Sequence, residues 1–245
     1  MADIKDFKDM HKGKEVAILA NGPSLLEHLD QLGDIETIGI NASLQYHPSK
    51  YHVAMDQEAL VQIPDMKYES EFLFTTNLPY RLPNIKTEVV NIKTRHMDVS
   101  WSTDLEDCIY TGKASVWFAA QVAAWMGFSD IYFIGLDLGG TRPEGHLRAG
   151  TPIPGLAVSR QLELMGYLRG LVDTETIPQK FYNCSLFSVA TLIPKVVFKN
   201  RHFTKTGIYE PAMDIDIIFS RKAKRLGGGV KSTLIEKEPS QHGLE

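Results

Sequence analysis

The sequence predicts an α/β fold: a mostly parallel sheet with helices on both faces. Three observations predict it. Seven short, apolar, β-branched runs are punctuated by turn residues. Helical segments lie between several of them, the alternation that goes with parallel strands. Several runs are apolar on both faces, as strands sandwiched between helix layers must be.

The runs are Glu15–Ala20, Glu36–Asn41, His52–Asp56, Glu71–Thr76, Thr87–Ile92, Asp130–Asp137 and Lys180–Ser185. A first helix is expected from Pro23 to about Leu32. A second, about Ala114–Met126, carries Val116, Ala119, Ala120, Ala123 and Ala124, small enough to approach a sheet closely, and Gly127 stops it. Its Trp117, Phe118 and Trp125 read as core rather than as a stacking platform for bases. A third helix, about Val158–Val172, presents Leu162, Leu164, Met165, Leu168 and Leu171. Two stretches break the rhythm: the polar, irregular Asn91–Tyr110, and Gly139–Gly155 with its five glycines and three prolines. Loops of this length inside a compact domain are usually functional or mobile.

Composition narrows the class. A chain of 245 residues, 43% hydrophobic and 23% charged, fits one large α/β domain and excludes disorder as its main state. No apolar run approaches a membrane span, and the charged N-terminus lacks the apolar stretch of a secretory signal, so a cytoplasmic protein is expected. Cys108 and Cys184 stand in no metal-like spacing, as suits a reducing compartment. A net charge of −4 gives no whole-molecule attraction to nucleic acid. The charge is uneven: residues from Lys195 onward carry +4 and the rest −8. The expected organisation is one domain over 1–194 and a basic C-terminal extension over 195–245, its last ~20 residues disordered. The apolar Phe187–Phe203 region could pack on the body or on a second copy of the chain.

In an open parallel sheet, ligands bind beyond the carboxyl ends of the strands. The first such end reads Asn21-Gly22-Pro23-Ser24. Gly22 allows a close backbone approach, Pro23 suits the start of a helix, and a helix N-terminus aims unpaired amides at an anion. The pattern is neither G-x-G-x-x-G nor a P-loop; a well-capped strand-to-helix turn is the alternative reading. Asp137 follows an apolar strand and precedes Gly139-Gly140, where an acid binds ribose hydroxyls, holds a divalent cation or caps a helix. Asp56 occupies a similar place after the third run. Asn41, at a strand end, reads a base or ribose or forms an Asx-turn. His146 lies between Arg142 and Arg148 in the glycine-rich loop, a general base beside phosphate-holding arginines or a solvated loop histidine. His28, His47, His52 and His96 show no ligand spacing.

Three blocks carry a resemblance: Val16–Leu25 with Thr37–Asn41, then Ser115–Phe128 running into Ile131–Asp137, then Phe181–Ser185. Their order resembles the superfamily that joins archaeal 6-hydroxymethylpterin diphosphokinase-like proteins, motility-accessory glycosyltransferases and small bacterial sialyltransferases, with short phage-type members. The likeness covers roughly residues 13 to 193. It implies a Rossmann-like nucleotide-binding domain and a nucleotide-dependent transferase. In the sialyltransferase branch the donor is a CMP-sugar, which would be held by Asn21, Asn41, Ser115, Gly135 and Asp137. In the diphosphokinase branch it is ATP with magnesium, transferred to a pterin-like alcohol. A non-catalytic nucleotide-binding accessory protein is the third class. The chain departs from the pattern in three places, one being that Gly139–Gly155 shows none of the tyrosines that aid the leaving phosphate in the sialyltransferases. Ser115-Val116 stands where relatives show Ser-Gly, and Pro154–Ser159 lacks the histidine the sialyltransferases place before their next helix. His146, Arg142, Arg148 and Asp137 are the candidates for the catalytic roles.

Overall fold

The computed structural model describes residues 2–76, 85–95, 99–138, 150, 155–185, 188, 192–194, 196–199 and 202–204. His146, Arg142, Arg148 and most of the C-terminal extension lie outside these residues. All seven expected runs form strands of one sheet, every pair parallel. They are β1 (Glu15–Leu19), β2 (Glu36–Ile40), β3 (Tyr51–Val53), β4 (Phe72–Thr76), β5 (Glu88–Ile92), β8 (Asp130–Ile134) and β9 (Lys180–Asn183), in spatial order β5-β4-β3-β2-β1-β8-β9. Two small pairs complete the strands: β6 (Thr94–Arg95) with β7 (Ile109–Tyr110), and β10 (Val197–Lys199) with β11 (His202–Thr204).

The chain walks outward from β1 to β5, then returns to lay β8 and β9 on the other side of β1. The order therefore reverses between β1 and β8, the place where open sheets leave a crevice.

Alternation along β1 explains the two faces. Val16 and Ile18 join one core and Ala17 and Leu19 another, all fully buried. On the first face lie α3 (Ser115–Trp125) and α4 (Gly155–Asp173). They bring Trp117, Phe118, Ala119, Ala123, Leu164, Met165 and Leu168 against Ile38, Ile40 and Phe133. Ten of the eleven residues of α3 are buried, as befits a helix that is apolar all round. On the other face α1 (Leu25–His28) sets Leu25 against Leu19 and Tyr132, and α2 (Gln57–Gln62) sets Leu60 against Leu44 and Leu73. Trp117, Phe118 and Trp125 are core, as the sequence indicates.

The described part of the polar stretch Asn91–Tyr110 is a cover over α3 rather than a mobile loop. Trp117 Nε1 donates to Ser100 O at 3.0 Å, and Gln121 Oε1 accepts from the Ser102 amide at 3.0 Å while its Nε2 donates to Tyr110 O at 2.7 Å. The N-terminal segment closes the other end of α3. Amides of Asp9, His11 and Gly13 donate to the carbonyls of Trp125, Met126 and Gly127 at 2.8–3.0 Å, satisfying groups a helix end leaves open. The first helix is shorter than the sequence suggests: α1 has four residues and passes into a 3-10 turn, Leu29–Gln31.

Burial pushes the imidazoles of His11, His28, His47 and His52 below 6.5, and fully buried His52 falls to about 3. The unfolded chain thus takes up protons first as pH falls, and stability present above pH 6.5 is lost progressively toward pH 3. Urea midpoints are expected to drop between pH 7 and pH 5, and His52→Leu to flatten the slope; an unchanged slope in that variant would contradict a buried neutral His52.

Candidate functional site: the crevice between β1 and β8

Two strand ends meet where the order reverses. Parallel pairing runs past the end of β1 into the elbow: Ala20 N–H donates to Ile134 O and Gly22 N–H to Gly135 O, both at 2.8 Å. Gly135 has φ +76°, and its Cα faces the Ala20 carbonyl too closely for a side chain. Leu138 at φ +53° makes a second left-handed bend, so Asp137 sits between two fixed turns. Its carboxylate reaches across to the elbow. Oδ2 accepts the Ser24 amide at 2.8 Å and Oδ1 accepts the Ser24 hydroxyl at 2.5 Å. Ser24 Oγ also lies 2.8 Å from Ser185 Oγ, from the segment after β9. A Cβ on Gly22 would collide with Asp137 Oδ2 and the Gly135 carbonyl, so this glycine exists for the carboxylate's approach.

This geometry corrects the expectation of unpaired elbow amides aimed at a phosphate. The Gly22 amide is bonded to Gly135, the Ser24 amide to Asp137 and the Leu25 amide to Gly22 O at 3.1 Å. Pro23 stands in the turn, and Ser24, not Pro23, precedes the helix. A four-residue helix has little dipole to offer, and the nearest charge is a carboxylate. The elbow is therefore closed to an anion. It is not closed to hydrogen-bond donors: Asn21 Oδ1 is shielded from solvent and has no partner among the described residues. Such an acceptor calls for a donor.

Next to the elbow, Asn41 ends β2 with φ +49° and opens the 3-10 turn Asn41–Gln45. Its Oδ1 accepts from Ser115 Oγ at 3.3 Å, linking β2 to the start of α3. Ala114 caps α3 with no side-chain hydrogen bond; the Trp117 amide of the first turn donates to Ala114 O at 3.0 Å, and the amides of Ser115 and Val116 begin the helix beside Asn41. Val116 turns its side chain into the core. Asp56 stands apart at the start of α2, beyond β3, and its backbone carbonyl accepts from Leu60 at 3.0 Å.

The structure thus brings together Asn21, Gly22, Pro23, Ser24, Gly135 and Asp137 at the crevice, with Asn41 and Ser115 on the neighbouring strand end and helix start. Sequence reasoning assigned nothing to His28 and passed over Ser188, while Asn183 stood among the strand-end residues at the expected crevice. Asn183 Oδ1 accepts the Ser185 amide at 3.0 Å, and Ser188 Oγ donates to Leu136 O at 2.5 Å, tying the end of β9 to the end of β8. The half-buried His28 lies one turn after Ser24. Burial lowers its pKa most; the charges of Glu27 and Asp137 and a bond to the Cys184 backbone pull the other way. The spacing Ser24-x-x-x-His28 was its only signal. Burial pushes the Cys184 thiol up, which makes it inert. Among the described residues no three His, Cys, Asp or Glu side chains gather as a metal-holding group. No described helix is long and apolar enough to cross a membrane.

No protein-family model and no curated protein matches the chain. Among solved structures, the fold is similar to the MAf glycosyltransferase of Magnetospirillum magneticum AMB-1, with a TM-score of 0.55 and 14% identity. That match covers 89% of this chain, which spans 40% of the other's length. The sialyltransferase CstII of Campylobacter jejuni, solved with the substrate analogue cytidine-5'-monophosphate, matches at a TM-score of 0.44 and 16% identity over 87% of this chain and 98% of its own. At such identities the likeness is one of fold: a Rossmann-like parallel sheet with helices on both faces.

Gly22→Ala forces the carboxylate and the Gly135 carbonyl aside. It is expected to lower the unfolding free energy by about 1–3 kcal/mol, read from urea midpoints. A neutral substitution would contradict the close approach.

Proposed function

We propose that this chain is a nucleotide-dependent transferase that moves a glycosyl group from a nucleotide sugar. The orphaned acceptor of Asn21 beside the fixed carboxylate of Asp137 carries this reading. A carboxylate has about four lone-pair sites, and Ser24 occupies two, so Asp137 keeps capacity for the hydroxyls of a ribose. The start of α3, which has no side-chain cap and has Asn41 and Ser115 beside it, would be the anion-friendly place for the phosphate. The nucleotide would then lie across the crevice from Asp137 toward α3. The loop Gly139–Gly155, with Arg142, His146 and Arg148, would close over the donor and keep water from the sugar. The fold shared with the MAf glycosyltransferase supports the reaction class, and the resemblance in the sequence makes a CMP-sugar the first donor to try.

Isothermal titration against CMP, UDP, GDP and ATP tests this. One of the four is expected to bind, and Asp137→Asn to weaken it about tenfold or more, the loss of a hydrogen bond to a charged acceptor. No binding at millimolar concentration would remove the reading. Affinity lost in EDTA would favour magnesium-dependent diphosphoryl transfer from ATP, and binding without turnover of any donor would mark a non-catalytic accessory protein.

A further inference from the structure

Ser185 is fully buried, yet its hydroxyl ends on two side chains that are only partly buried. Its Oγ lies 2.8 Å from Ser24 Oγ, and Ser24 Oγ donates to Asp137 Oδ1 at 2.5 Å. The proton order follows from the chemistry of the groups. A carboxylate offers only lone pairs, so the single hydroxyl proton of Ser24 lies on its bond to Asp137. The proton between the two serines therefore belongs to Ser185. We infer that Ser185 is a positioning residue: acting through Ser24, its hydroxyl holds the Asp137 carboxylate at one angle, with the unused lone pairs set to accept both hydroxyls of a ribose. This inference rests on the nucleotide reading above and names the sugar the site selects, ribose over deoxyribose.

The end of β9 is built to hold Ser185. Fully buried Asn183 accepts the Ser185 amide on Oδ1 at 3.0 Å and donates from Nδ2 to Leu136 O at 3.4 Å. The Ser188 amide donates to Ser185 O at 3.0 Å, and Ser188 Oγ donates to Leu136 O at 2.5 Å. Leu136 immediately precedes Asp137. One strand end thus grips the backbone of the aspartate and also supplies the hydroxyl that reaches its carboxylate.

The direction of this chain separates it from a packing tie. Ser188 ends on a buried neutral carbonyl, which serves packing alone. Ser185 leads through Ser24 to a partly exposed charge that keeps lone pairs to spare. Aligned hydroxyls polarise one another, which strengthens the bond from Ser24 to Oδ1 and resists rotation of the carboxylate. A ribose presents two adjacent donors, and a carboxylate fixed at one angle accepts both. A 2′-deoxyribose presents one and gains less from that fixed angle.

The test uses the full chain and isothermal titration with whichever of CMP, UDP, GDP and ATP binds, set against its 2′-deoxy counterpart. The wild-type chain is expected to favour the ribonucleotide about tenfold or more. Ser185→Ala should cut that preference to about threefold or less by weakening the ribonucleotide, with affinity for the deoxynucleotide held within about twofold. In a Ser24→Ala background the same substitution should leave the preference unchanged, because the hydroxyl acts through Ser24. Three results would each overturn the inference: no sugar preference in the wild-type chain, equal weakening of both nucleotides by Ser185→Ala, or an effect on the preference that persists without Ser24. A neutron structure of the unliganded wild-type chain tests the proton order directly. Deuterium on Ser185 should point to Ser24 Oγ and deuterium on Ser24 to Asp137 Oδ1, and the reverse order would overturn the inference. Failure of the wild-type chain to bind any nucleotide would instead defeat the transferase reading itself.

Discussion

The contact between Asp137 and Ser24 organises the functional end of this molecule. Asp137 lies at the end of β8 and Ser24 just beyond β1, 113 residues earlier. Two hydrogen bonds from one serine to one carboxylate join these ends where the strand order reverses. Bonds to charged groups are about twice as strong as neutral ones, and a partly buried site screens them little. Gly22 makes room, Gly135 and Leu138 set the turns, and Ser185 ties in the third strand end. The same contact engages both donors of Ser24, while the Gly22 amide is held by Gly135 O and the Asn21 Oδ1 acceptor is left without a partner among the described residues.

The remainder of the fold holds that contact in place. β1 is buried along both faces, so its end is fixed by core packing rather than by the loop itself. The edge strand β9 is covered by the segment around Pro194–Val196, whose backbone exchanges hydrogen bonds with Asn183. The N-terminal segment and the stretch around Ser100–Tyr110 satisfy the far end and the outer side of α3. His11 belongs to that packing: its ring stacks on Phe128 at 4.6 Å and pairs with Tyr51 Oη at 2.8 Å.

Much of the sheet was legible because its signal is local. Glu15-Val-Ala-Ile-Leu is apolar on both faces, and the other six strands carry the same short β-branched pattern between turns. The alanines of α3 likewise announced a helix pressed on a sheet. The pairs β6–β7 and β10–β11 escaped notice because two- or three-residue strands have no periodicity to read. The first helix, expected from Pro23 to about Leu32, is regular only over Leu25–His28 and passes into a 3-10 turn over Leu29–Gln31. At the site, the residue identities were visible and the bonding was not. Asn-Gly-Pro-Ser reads as an anion-binding elbow in isolation, and only the tertiary fold brings a carboxylate to fill it. His28 and Ser185 depend on the same long-range arrangement, which no local pattern encodes. His146, Arg142 and Arg148 lie outside the described residues.

The most direct measurement is a crystal structure of the chain with its tightest-binding nucleotide. The account predicts ribose hydroxyls on Asp137, a donor group of the ligand on Asn21 Oδ1, and the phosphate against the first turn of α3 near Asn41 and Ser115. Phosphate density on the amides of Gly22–Ser24, with the Asp137 carboxylate swung away from Ser24, would contradict it.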